Sequence, residues 1–120
     1  MPSNMDAKFD PMNSRVCARK LAALAAPERL QIIHFLRGGP RNATEISVIL
    51  RTPLVNVSHH LGVLFTAGLL NREKHGRFVI YSLPEGLLQA DETSSRLYHL
   101  DLGCCRLELP GGSETPTANA

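Results

Sequence analysis

Between residues 27 and 83 the apolar positions change rhythm, and each change predicts an element. Leu30, Ile32, Ile33, Phe35 and Leu36 are dense enough for a core helix over 27–37. Pro27 suits a first helical turn, where its missing N–H costs nothing, and Glu28 favours the positive helix end. Gly38, Gly39 and Pro40 stop it. A short helix then runs to about Leu50, capped by Asn42 or Thr44; with Asn42 as the cap, Glu45 completes a capping box. Arg51, Thr52 and Pro53 form a turn. In the next helix, from 54 or 55 to 66, Val57, Leu61, Leu64 and Phe65 share one face. Asn56, Ser58, His59, Gly62 and Val63 lie toward the other, and Gly68 is placed to end the helix in a left-handed cap. Gly62 costs about 1 kcal/mol relative to alanine, which close packing against DNA or a neighbour would explain.

Two strands follow, about 69–74 and 77–83, joined at His75 and Gly76 with Arg72, Lys74 and Arg77 around the tip. Residues 84–96 are only weakly helical. Leu100, Leu102, Leu107 and Leu109 then alternate with Asp101 and Glu108, a period of two that predicts one strand or two short ones around Gly103. Upstream, Ser14 could cap a helix over 15–25 that buries Val16, Leu21 and Leu24. The expected organisation is a disordered arm over 1–13, one domain over 14–109 and a disordered tail over 110–120.

Two helices joined by a turn, the second with a polar outer face, are how a protein offers a helix to the major groove. The predicted fold is α+β and mainly α: a winged helix-turn-helix with a two-stranded β-wing and a C-terminal segment that is extended rather than helical. Charge agrees. Residues 1–82 hold 11 Lys/Arg against 5 Asp/Glu, a net of +6, while residues 83–120 carry 2 against 6, a net of −4. A basic unit releases counterions from duplex phosphate.

At 120 residues and 43% hydrophobic, without tryptophan, the chain can build a modest core that a dimer interface would supplement. Nothing approaches the roughly 20 apolar residues that span a bilayer, and the first residues lack a signal-peptide pattern. The expectation is a cytoplasmic protein whose three cysteines, Cys17, Cys104 and Cys105, are reduced thiols.

Residues from about 17 to 83 resemble the ArsR-type (arsenical-resistance repressor) family of winged-helix regulators. The resemblance is carried by Leu24-Ala25-Ala26-Pro27-Glu28-Arg29-Leu30-Gln31-Ile32-Ile33, by Val57-Ser58-His59-His60-Leu61 through Leu64, by Ala67-Gly68-Leu69-Leu70, and by Gly76-Arg77 leading into Tyr81-Ser82-Leu83. It implies a homodimeric repressor that reads an inverted-repeat operator and lets go when an effector binds. It also implies DNA contacts at Asn56, Ser58 and His59 and at the wing residues Arg72, Lys74 and Arg77. These are side chains able to reach base edges or phosphates. Thr44 and Pro53, at the starts of the two short helices, complete the candidate set. The chain departs from the family in having no cysteine in the helix before the turn, no Asp-x-His pair after the wing and no long last helix.

The remaining chemistry lies in the cysteines. Adjacent residues of a regular strand point to opposite faces, so Cys104 and Cys105 could share an ion only if Gly103 kinks the chain. With Cys17, from this subunit or its partner, they would make a three-thiolate pocket for As(III) or another soft metal ion, as some members of the family do with adjacent cysteines and a third. The alternatives are a thiol redox switch and small buried side chains without an effector role. His59 and His60 diverge by about 100° on a helix and cannot easily chelate together, which leaves a DNA contact for His59 and a half-buried structural role for His60. No nucleophile, base and orienter converge, so the chain is not expected to be an enzyme. The rival reading from another class is a winged-helix module for protein interaction, and duplex binding decides between them.

Overall fold

The computed structural model describes residues 11–90 and 97–110. Four helices come first: α1 (Pro11–Leu24), α2 (Pro27–Leu36), α3 (Ala43–Leu50) and α4 (Leu54–Thr66). A two-residue strand, β1 (Arg41–Asn42), sits between α2 and α3. After α4 come β2 (Asn71–His75), β3 (Phe78–Ser82), β4 (Leu88–Ala90), β5 (Leu97–Asp101) and β6 (Arg106–Pro110). They form two antiparallel sheets, ordered β1-β3-β2 and β4-β5-β6.

The expected caps are in place. Asn42 Oδ1 accepts from the Glu45 N–H at 2.8 Å, and Glu45 Oε1 accepts from the Asn42 N–H at 2.9 Å. That satisfies two of the donors every helix start leaves unpaired. At the end of α4, Gly68 adopts φ 82°, the Leu69 N–H reaches the Leu64 carbonyl and the Gly68 N–H reaches Phe65. This is a Schellman closure, and it needs a left-handed residue at its hinge. The end of α3 closes by the same pattern, Thr52 N–H to Ser47 and Arg51 N–H to Val48, but the left-handed position holds Arg51 at φ 53°.

One core joins the helices to the second sheet. Ile32, Ile33, Ile46, Val57, Leu61, Leu64, Leu69 and Leu100 are its fully buried large side chains. The pairing of Leu88 with Leu100, Leu100 with Leu107 and Tyr98 with Leu109 puts all five on one face of that sheet. Gln89, His99, Asp101, Arg106 and Glu108 take the other. Tyr98 fastens the sheet to α2: the Arg37 guanidinium lies 4.0 Å from its ring centroid, and His34 meets it edge-on.

Several expectations change. α1 already includes Pro11, so Ser14 lies inside the helix and not at its cap. The expected arm over 1–13 is therefore shortened at its end, and its residues 1–10 lie outside those described. Val16 and Leu21 are exposed, while Ala23 and Leu24 are buried, since α1 meets the core through its last turn. The weakly helical stretch yields β4, which pairs with β5; tertiary pairing overrides weak local preference. The wing hairpin gains β1 as a short third strand on β3. Pro110, expected in the tail, is part of β6, and residues 111–120 lie outside those described.

Candidate nucleic-acid interface and thiol cluster

α3, the turn and α4 are held as one piece. Ser47 Oγ donates to the Thr52 carbonyl at 2.6 Å, and Thr52 Oγ1 donates to the Leu50 carbonyl at 3.1 Å. With Val57, Leu61 and Leu64 buried, the opposite face of α4 turns outward. Asn56, Ser58 and His59 are exposed there, with Pro53 just before the helix and Thr44 exposed in the first turn of α3. His60 is half-buried, and its Nδ1 lies 3.1 Å from Arg29 Nη1. Arginine only donates, so Nδ1 accepts and the ring proton sits on Nε2. Among the described residues the potential metal cluster is made of cysteines, not of this histidine pair.

The wing, β2 and β3, follows α4. Arg72 and Lys74 share one face of β2 and Arg77 stands in the turn after Gly76, all three exposed. The Arg72 guanidinium also stacks 3.9 Å above the Phe65 ring, which fixes the wing to the end of α4. On the other face of β2, His75 Nε2 and Glu73 Oε1 are 3.0 Å apart. A Cβ added at Gly62 would meet open space, so no neighbour within the chain requires glycine there.

Two further arginines belong to this architecture and escaped sequence reading. Arg51 is exposed in the helix-turn-helix turn, the only described non-glycine residue with positive φ. A basic side chain in the turn between the two helices was the available signal. Arg29 was visible only as part of a family motif. Its Nε donates to the Ala23 carbonyl at 2.6 Å while Nη1 reaches His60, so one guanidinium joins the end of α1 to α4.

The three cysteines converge. Cys17 on α1 is bonded to Cys104, with Cα atoms 5.8 Å apart, and Cys105 Sγ lies 3.6 Å from Cys17 Sγ. All three sulfurs fall within 4.8 Å of one another. The expectation of free thiols is thereby corrected for two of the three. Cys104 and Cys105 are not on a strand at all. They lie in the turn between β5 and β6, where Gly103 takes φ 87° and the Leu102 N–H bonds the Cys105 carbonyl at 2.9 Å. Turn backbone removes the strict alternation of a strand, so both sulfurs can face α1. Lys20 Nζ, one turn along α1, donates to the Leu102 carbonyl at 2.9 Å and clamps the same junction.

A basic wing beside an outward polar helix, on a helix-turn-helix frame, is the arrangement of a major-groove reader. Residues 26–72 match the model of the bacterial regulatory protein arsR family. The chain is 36% identical over 98 residues to the HTH-type transcriptional regulator NmtR of Mycobacterium tuberculosis, covering 78% of this chain and 82% of that protein. The chain belongs to the arsR family. It is a DNA-binding transcriptional regulator with a winged helix-turn-helix fold. Its structure is similar to that of HlyU from Vibrio cholerae, at 32% identity and TM-score 0.57, covering 62% of this chain and 80% of that one. It is also similar to the homodimeric winged helix-turn-helix DNA-binding domain Mb0332 from Mycobacterium bovis, at 30% identity and TM-score 0.56, covering 57% and 64%. Among the described residues no helix is long and apolar enough to cross a membrane.

Proposed function

We propose that this arsR-family protein is a homodimeric repressor that releases its operator when Cys17, Cys104 and Cys105 bind a soft trivalent metalloid such as As(III). The convergence of three sulfurs carries the reading. With metal–sulfur bonds of about 2.3 Å, two sulfurs on one ion lie at most about 4.6 Å apart. Cys105 Sγ is already 3.6 Å from Cys17 Sγ, and reduction of the Cys17–Cys104 bond frees that pair to open around an ion. Three sulfurs match an ion that takes three ligands, whereas structural zinc takes four. Arsenous acid loses three hydroxyls as water, each with a thiol proton, and three As–S bonds replace three As–O bonds.

DNA recognition falls to Asn56, Ser58 and His59 on α4, assisted by Thr44 and Pro53, with Arg72, Lys74 and Arg77 on phosphates. The relay runs from Cys17 along α1 to the Ala23 carbonyl, through Arg29 and on to His60. Exposed Val16 and Leu21 on α1 supply apolar surface for a second copy, and Mb0332 offers a dimeric precedent. Two-fold symmetry places half-sites about one helical turn, roughly 34 Å, apart. Native mass spectrometry of the reduced chain with arsenite should find one arsenic per subunit, lost in Cys17→Ser. Uptake that survives in Cys17→Ser would overturn the ligand set.

A further inference from the structure

Cys105 is the sulfur that the disulfide leaves over, yet it is in contact with that bond. Its Sγ is 3.6 Å from Cys17 Sγ, in the same turn as Cys104. Cys17 is thus flanked by two sulfurs from adjacent residues, bonded to one and touching the other. We propose that Cys105 is an exchange thiol: it moves the disulfide between Cys17–Cys104 and Cys17–Cys105, and while either bond stands the metalloid is shut out. The second half rests on the reading of the cluster as a metalloid site; the first does not.

The exchange consumes no oxidant. The Cys105 thiol gives its proton to solvent, and the thiolate attacks Cys17 Sγ. A Cys17–Cys105 bond forms as the Cys17–Cys104 bond breaks, and the electron pair leaves on Cys104, which takes up a proton. Both isomers tie α1 to the β5–β6 turn, and the Lys20 to Leu102 hydrogen bond holds the two elements together during the transfer. Each isomer leaves one thiol where the ion needs three. Opening the site requires a dithiol reductant. One of its sulfurs attacks the protein disulfide, its second closes the reagent's own ring, and two electrons and two protons pass to the protein. Oxidation state and metalloid therefore compete for the same three atoms, and Cys105 makes the sealed state accessible from either neighbour.

The test uses the full chain, oxidised, with its one remaining thiol alkylated by iodoacetamide and located by peptide fragmentation. The expected label is divided between Cys104 and Cys105, and Cys104→Ser and Cys105→Ser should each still form a disulfide with Cys17. Label confined to Cys105, label on Cys17, or a Cys104→Ser variant that stays reduced under the same oxidation would overturn the exchange. In a second arm, oxidised and dithiol-reduced chains are mixed with arsenite. Uptake only after reduction is expected, and equal uptake by both would overturn the gate. If the reduced chain takes up no arsenite, the metalloid reading fails, while the label distribution still decides the exchange because it involves no ion.

Discussion

The helix-turn-helix with its wing and the β4–β6 sheet contribute to one core in different ways. The first buries Val57, Leu61 and Leu64 and keeps a polar, basic face outward. The second buries Leu100 through a period of two and presents Gln89, Arg106 and Glu108 to solvent. Residues up to 82 carry a net +6 and those after it −4, so only the first region suits duplex phosphate. The second is fastened to α1 by chemistry: a disulfide, a lysine on a carbonyl and a third sulfur alongside. In the proposed reading the first region grips duplex DNA, and the second governs that grip through α1.

The sharpest way to break this comparison is to cut the core on each side. Leu61→Ala and Leu100→Ala each remove a fully buried leucine and should cost about 2–5 kcal/mol by chemical denaturation. Because both belong to one cluster, each variant should unfold in a single transition. Two separate transitions would make the sheet an independent appendage. Next in size are the residues proposed to read bases. Asn56→Ala or His59→Ala should change operator preference by about 1–3 kcal/mol per lost base contact. A loss equal on all sequences would demote them to phosphate contacts.

Arg51 gives a smaller and two-signed effect. It sits at the left-handed closure of α3 where α4 uses Gly68, and a non-glycine residue there costs roughly 1 kcal/mol. Arg51→Gly should therefore raise stability by about 1 kcal/mol while flattening the salt dependence of DNA binding by about one phosphate contact. An unchanged salt slope would leave the arginine without a role at the DNA.

The smallest effect is one of pH. Burial beside Tyr98, and secondarily the Arg37 charge, hold the His34 pKa below its usual 6.5. A base that is harder to protonate when folded contributes stability above pH 6.5 and loses it as the pH falls through that value toward the lower folded pKa. His34→Gln should remove that part of the acid destabilisation in denaturation series between about pH 7 and 5. An identical pH profile would show that His34 is not responsible.

What sequence made legible follows from local physics. Asn42 with Glu45, Gly68, and the alternating leucines after 97 are short-range signals, and the elements they predicted formed. Where a choice depended on the fold, the pattern misled. Val16 and Leu21 are larger than Ala23 yet exposed, because α1 reaches the core only through its last turn. β1 is two residues long and exists only through β3. The candidate DNA contacts could be chosen from residue type and helical phase alone. The convergence of the thiols could not, since it needs Cys104 and Cys105 in a turn and α1 across from it, 87 residues away in sequence for the bonded pair. Arg29 required the same three-dimensional knowledge, because it joins elements that sequence spacing does not bring together.

The division of labour between the regions is tested most directly by fluorescence anisotropy of the promoter duplex adjoining the protein's own gene. The reduced wild-type chain and the Cys17→Ser, Cys104→Ser, Cys105→Ser triple variant would be titrated onto it with and without arsenite. The account predicts equal DNA affinity for both chains without arsenite, and release by arsenite from the wild type alone. Release from both chains, or from neither, would contradict it.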